Sequence, residues 1–162
     1  MIATRDEAHR LVSRWRAEGK TVVFTNGVFD LLHPGHVRYL HFARELGGAL
    51  VVAINSDRSV RANKGPARPI VPERERAEIV AAMAAVDAVV IFDEETPQAL
   101  IGELQPDVLV KGADWAPDAV VGREVVEGRG GRVVRAPIEP GYSTTGIIAR
   151  VNERGSKNVS SK

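Results

Sequence analysis

Five short apolar runs recur along the chain: TVVFT (21–25), LVVAI (50–54), AVVIF (88–92), DVLV (107–110) and RVVRA (132–136). Runs of this length, rich in β-branched residues and bounded by turn formers, read as buried strands. Stretches with helical spacing lie between them. Residues 5–18 carry Ala8, Leu11, Val12 and Trp15 on one helical face, and Gly19-Lys20 stops the pattern. A helix is predicted from about Gly35 to Leu46, with Val37, Leu40 and Ala43 on one face. Further helices are predicted over 72–86, where Pro72 and acidic residues suit the start, and over 97–104, 118–127 and 143–152. Residues 58–72 are basic and proline-rich without a period and predict a functional or mobile loop. The polar tail, 153–162, is expected to fray, leaving one domain over 1–152.

Strands that alternate with helices imply right-handed crossovers and an α/β fold, a five-stranded parallel sheet covered on both faces. In such folds a ligand sits beyond the carboxyl ends of the strands, where the strand order reverses. The polar clusters TNGVFD, NSD, KGADW and GYSTT follow the first, second, fourth and fifth strands and all fall on that rim.

Composition narrows the function. The 162 residues suit one domain with a sizeable core. Lys and Arg number 22 against 21 Asp and Glu, so no basic field points to nucleic acid. The absence of cysteine excludes disulfides, thiolate catalysis and cysteine-based zinc sites. The charged start MIATRDEAHR has no apolar signal-peptide core, and no apolar run is long enough to span a bilayer, so a cytoplasmic protein is expected, with no membrane partner.

The segment HPGH is the most specific local feature. Pro34 suits a first helical turn, Gly35 admits close approach of a ligand, and His33 and His36 share one face of the helix start. Backbone N–H groups and the dipole make that end an anion site. A bound polyphosphate would favour imidazolium there, and both rings would donate hydrogen bonds to it. Two capping or packing histidines, or a metal pair, are the alternatives, but two histidines are too few for a closed zinc site. Ser143, Thr144 and Thr145 open another predicted helix, and their hydroxyls and N–H groups suit phosphate; a plain cap needs only one of them.

The pattern TNGVFDLLHPGH resembles the signature of the nucleotidylyltransferase superfamily that includes glycerol-3-phosphate and choline-phosphate cytidylyltransferases. GYSTT resembles its second signature. FTNGVFDLLHPGHVRYL, VVAINSDRSV, KGPARPI, ERERAEIVAAM, LQPDVLVKGADW and GYSTT together are most similar to the stand-alone adenylyltransferases that act on heptose 1-phosphate, in register over roughly 20–150. The resemblance implies a Rossmann-like three-layer sandwich, often dimeric. It implies reaction of ATP, as its Mg2+ complex, with a sugar 1-phosphate to give ADP-heptose and pyrophosphate for surface glycan synthesis. A cytidylyltransferase acting on an alcohol phosphate is the alternative.

The nucleophile in such a reaction is a phosphate oxygen already ionised at neutral pH, so positioning and charge stabilisation suffice. By the resemblance, His33 and His36 hold the phosphates in the transition state. Thr25, Asn26, Gly27 and Phe29 line the nucleotide pocket, and Asp30 orients neighbouring cations, assists magnesium or caps a helix. Lys64 grips the sugar phosphate or the triphosphate, unless it is a solvated loop lysine. Arg76 meets phosphate, unless it is one charge on a solvated face. Lys111, Gly112 and Asp114 contact base or ribose, and Tyr142 belongs with the Ser/Thr cluster. The metal ligands stay open.

Overall fold

The computed structural model describes residues 1–113, 120–137 and 140–159, with side chains as far as residue 154. Seven helices and five strands alternate among the described residues: α1 (Arg5–Ala17), β1 (Val22–Gly27), α2 (Pro34–Glu45), β2 (Ala49–Asn55), α3 (Asp57–Lys64), α4 (Glu73–Ala81), β3 (Ala88–Phe92), α5 (Gln98–Leu104), β4 (Val108–Gly112), α6 (Arg123–Glu127), β5 (Arg132–Ala136) and α7 (Thr144–Val159). The strands form one parallel sheet in the order β3-β2-β1-β4-β5. The order reverses between β1 and β4, so a crevice opens beyond the carboxyl ends of those two strands.

Alternation along the strands divides the core in two. Val22, Phe24, Val51 and Ala53 pack with Ala8, Val12, Leu100 and Ile101 on the face covered by α1, α5 and α6. Val23, Leu50, Val52 and Ile54 pack with Leu40, Ala43, Ala77 and Val80 on the face of α2 and α4. The period of two in a strand sends successive side chains to opposite faces, and helices on both faces make every position of β2 buried.

The three-layer α/β sandwich matches the expectation, with three local differences. First, the loop expected over 58–72 begins as helix α3. Ser56 caps it, its side chain accepting from the Ser59 N–H at 3.1 Å. Val60 is the one large apolar side chain the helix buries, so no apolar stripe marked it. Gly65 ends it at φ +87°, where a side chain would be strained. Second, α4 stops at Ala81 rather than 86; turns at Met83 and Val86 lead into β3. Third, α7 continues to Val159, so most of the expected frayed tail is helical. No helix among the described residues is long and apolar enough to cross a membrane.

The N-terminus adds an element that the pattern did not predict. Ile2 forms a parallel bridge to Val89, with Ala3 N–H donating to the Val89 carbonyl at 2.8 Å and Val89 N–H to that of Met1 at 2.8 Å. These residues cover the open edge of β3, which would otherwise present unpaired backbone groups.

Candidate nucleotidyl-transfer site

A cleft of about 440 Å³ lies over the β1/β4 crossing point, and two helix N-termini face it. Its floor is Asn26, Gly27 and Phe29 from the end of β1 and Gly112 from the end of β4. One wall is the start of α2 with His33, Gly35 and His36; another is Tyr142 through Thr145 at the start of α7. The first turns of α1, α3, α4 and α6 carry acidic residues and those of α2, α5 and α7 carry none; of these three, α2 and α7 start at the cleft. The positive ends of these two helices are therefore not offset locally and are available to an anion.

Local geometry explains the histidine pair. His33 is the extended N-cap of α2, at φ −143° and ψ 167°, and makes no side-chain cap bond. Its ring stacks on that of His36 with centroids 3.8 Å apart and planes 18° apart. Phe29, in left-handed backbone at φ 49°, backs His36 at 5.3 Å between centroids. A Cβ at Gly35 would lie 3.0 Å from His33 Nδ1 and 3.2 Å from Tyr142 Cβ, so a side chain there would push the stack or the Tyr142 segment out of place.

Both Nδ1 atoms are buried without a hydrogen-bond partner. Desolvation decides the charge, outweighing a backbone hydrogen bond at His33 that favours its imidazolium. Burial pushes His33 below its ordinary value, and it pushes His36, further opposed by the His33 charge, down to about 4. The stacked imidazoles are thus biased towards their neutral form, and the charge of a polyphosphate in the cleft would draw protons onto the rings.

Lys64, the last residue of α3, reaches this cleft and also lines a neighbouring cavity of about 510 Å³. Lys111 lines that second cavity, where its Nζ donates to the Asn26 side-chain carbonyl. Ser143 Oγ accepts from Gly146 N–H at 3.0 Å and so caps α7, while Thr144 and Thr145 line the cleft. Arg68, which the sequence reading did not single out, lines it too. Its only sequence signal was its place in KGPARPI.

Three expected site residues have other roles. Thr25 is fully buried. Its hydroxyl lies 2.6 Å from the Tyr39 hydroxyl and donates to the Val110 carbonyl at 3.0 Å, tying β1 to α2 and β4. Arg76, expected to meet phosphate or to lie on a solvated face, is instead turned inward. It is 0% exposed, donating to the carbonyls of Val71 (2.9 Å), Val28 (2.5 Å) and Asn55 (2.9 Å) and to Asp57 Oδ1 (2.7 Å). A cation at a helix start is unfavourable in solvent, but here it neutralises a carboxylate and satisfies buried carbonyls.

Asp30 is not the cap of α2; His33 holds that position. The Asp30 carboxylate accepts from Arg68 Nε (2.6 Å), Ile70 N–H (2.9 Å) and Val71 N–H (2.8 Å). Although burial alone would raise its pKa, these donors hold the carboxyl below the ordinary value. Asp30 therefore anchors the 68–71 segment and aims Arg68 at the cleft. Asp114 and Trp115 lie outside the described residues.

Residues 24–150 match the family described as cytidylyltransferase-like. The bifunctional protein HldE of Koribacter versatilis (strain Ellin345) is 58% identical over 149 residues, covering 92% of this chain and 31% of the relative. That of Syntrophotalea carbinolica is 53% identical over 153 residues, covering 94% and 31%. The chain therefore spans about a third of the length of these curated relatives. Among solved structures, the lipopolysaccharide core biosynthesis protein of Thermoplasma volcanium GSS1 aligns with a TM-score of 0.61 at 30% identity, over 75% of this chain and 98% of that one. The pantoate-beta-alanine ligase of Francisella tularensis has a TM-score of 0.61 at 15% identity, covering 86% and 68%, and shares the fold alone. With a match over most of its length, this chain belongs to the cytidylyltransferase-like family.

Proposed function

We propose that the chain transfers the adenylyl group of ATP to a sugar 1-phosphate, heptose 1-phosphate, giving ADP-heptose and pyrophosphate. The observation that carries this reading is the meeting of two helix N-termini without acidic first turns at one cleft, with the stacked rings of His33 and His36 on its wall. That arrangement suits a triphosphate whose charge shifts during reaction rather than a covalent nucleophile. The acceptor phosphate attacks the α-phosphorus of ATP, the bond to the bridging oxygen breaks, and pyrophosphate leaves in line with the charge it gains. His33 and His36 donate hydrogen bonds to the phosphates, the α7 start holds the β- and γ-phosphates, and Lys64 meets the reacting charges. No enzyme atom forms a bond to phosphorus.

ATP enters as its Mg2+ complex, a substrate. The relatives named HldE and the lipopolysaccharide core biosynthesis protein support a product used in surface glycan assembly. The reading is completed by a homodimer, as the resemblance implies, and by a cytoplasmic location, as expected from the charged start and short apolar runs, testable by sedimentation and by cell fractionation.

Pyrophosphate release from ATP plus heptose 1-phosphate tests the reaction. Release with that pair, and inversion at a chiral α-phosphorothioate of ATP, is expected. Release confined to CTP with an alcohol phosphate such as glycerol 3-phosphate overturns it in favour of a cytidylyltransferase. Retention at phosphorus contradicts the direct displacement.

A further inference from the structure

Beside the phosphate cleft lies the second cavity, of about 510 Å³, within the range of small-molecule sites. The two share Asn26, Gly27, Val28 and Lys64, so a molecule in one reaches a molecule in the other across the end of β1. Their chemistry differs. The helix start that lines the second cavity is that of the seven-residue α5, whose N-cap is Pro97, and Glu95 lies two residues before that cap and offsets its positive end. Its wall carries the Glu95 carboxylate, which repels a triphosphate. Asn63 and Thr96 accompany it, Asn55 lies at the wall with its amide donating to Ser59 Oγ at 3.1 Å, and Val60, Pro97 and Val121 supply apolar surface. A carboxylate and amides able to accept and donate, set over an apolar face, match the hydroxyls and C–H face of a polyol. The cations Lys64 and Lys111 also line it, and Lys64 belongs to both cavities.

We propose that this second cavity is the acceptor subsite for a polyhydroxylated sugar phosphate. In it Asn63 and Glu95 are the specificity-determining groups that bind the sugar hydroxyls, and the acceptor phosphate lies towards Lys64 and the cleft. The proposal rests on the adenylyl-transfer reading for the identity of the acceptor. It gives α3 a purpose: the helix presents Asn63 and Lys64 side by side at its end, one to the sugar and one to the reacting phosphates.

Asn63 and Glu95 are both exposed, so substituting them leaves the core intact. Glu95→Gln is expected to raise the KM for heptose 1-phosphate about 10-fold, and Asn63→Ala/Glu95→Gln about 100-fold, with the KM for ATP unchanged. An unchanged acceptor KM, or a rise confined to ATP, overturns the subsite. Calorimetric titration of the full chain with heptose 1-phosphate alone needs no turnover and separates this proposal from the reaction. Weaker binding by Glu95→Gln than by the unsubstituted chain supports the subsite even if no pyrophosphate is released. Equal binding by both, or none by the unsubstituted chain, contradicts it even if the reaction is found.

Discussion

The proposed chemistry depends most directly on His36. If the ring donates to the reacting phosphates as proposed, His36→Ala is expected to lower kcat by roughly 10²–10³-fold while the thermal transition stays cooperative. Unchanged turnover would remove it from the site. Its pKa also has a consequence for stability. An unfolded imidazole takes up a proton as the pH falls through 6.5, whereas the folded one resists until about 4. Between these values the unfolded state binds more protons, so stability falls as pH drops through that window. Urea midpoints measured from pH 7 to 4 should fall for the unsubstituted chain and less steeply for His36→Ala. Gly35→Ala places a methyl group against His33 and Tyr142 and is expected to cost up to about 10²-fold in kcat through ring displacement, with little loss of stability.

Elements are held in place by polar groups that hydrophobic periodicity does not register. Arg76 joins α4 to the ends of β1 and β2 through the Val28 and Asn55 carbonyls, and Asp30 joins the same loop to the 68–71 segment. The floor of the cleft and the segment carrying Arg68 are thus braced from beneath by two buried charges. Arg76→Leu leaves Asp57 and three carbonyls without that donor and is expected to destabilise the fold by about 3–5 kcal/mol, measured by chemical denaturation. Arg76→Lys should recover only part of this, because a single ammonium cannot span the positions the planar guanidinium reaches. Thr25→Val, by contrast, should cost about 1–2 kcal/mol and leave the KM for ATP unchanged, since the Thr25 hydroxyl is spent on Tyr39 and Val110. A large rise in that KM would return Thr25 to the nucleotide site.

At the scale of the whole molecule, the sheet has two unequal edges. β5 is largely accessible, with only Ala136 buried, whereas β3 is covered by residues 1–3. Removing Met1–Ala3 is expected to cost about 1–2 kcal/mol, in keeping with the loss of a few backbone hydrogen bonds, and to increase association of copies through the uncovered strand, readable by light scattering.

The sequence by itself determined the strand–helix alternation, the parallel sheet and the rim on which the site lies. These follow from hydrophobic period and turn residues, which are local properties of the chain. It also marked His33, His36 and the Ser143–Thr145 cluster, because a helix start prepared for an anion is written in consecutive residues. The tertiary structure alone decided the roles of Thr25, Asp30, Arg68 and Arg76. A polar side chain in the sequence does not reveal whether its partner will be a ligand or a carbonyl from a distant segment. Arg76 read as a phosphate ligand through the family resemblance, with one charge on a solvated face as the alternative, whereas in space three carbonyls and a carboxylate meet around it. Helix α3 escaped the reading for the same reason: it buries one large apolar residue, and packing against β2 and a serine cap supplied what its pattern lacked.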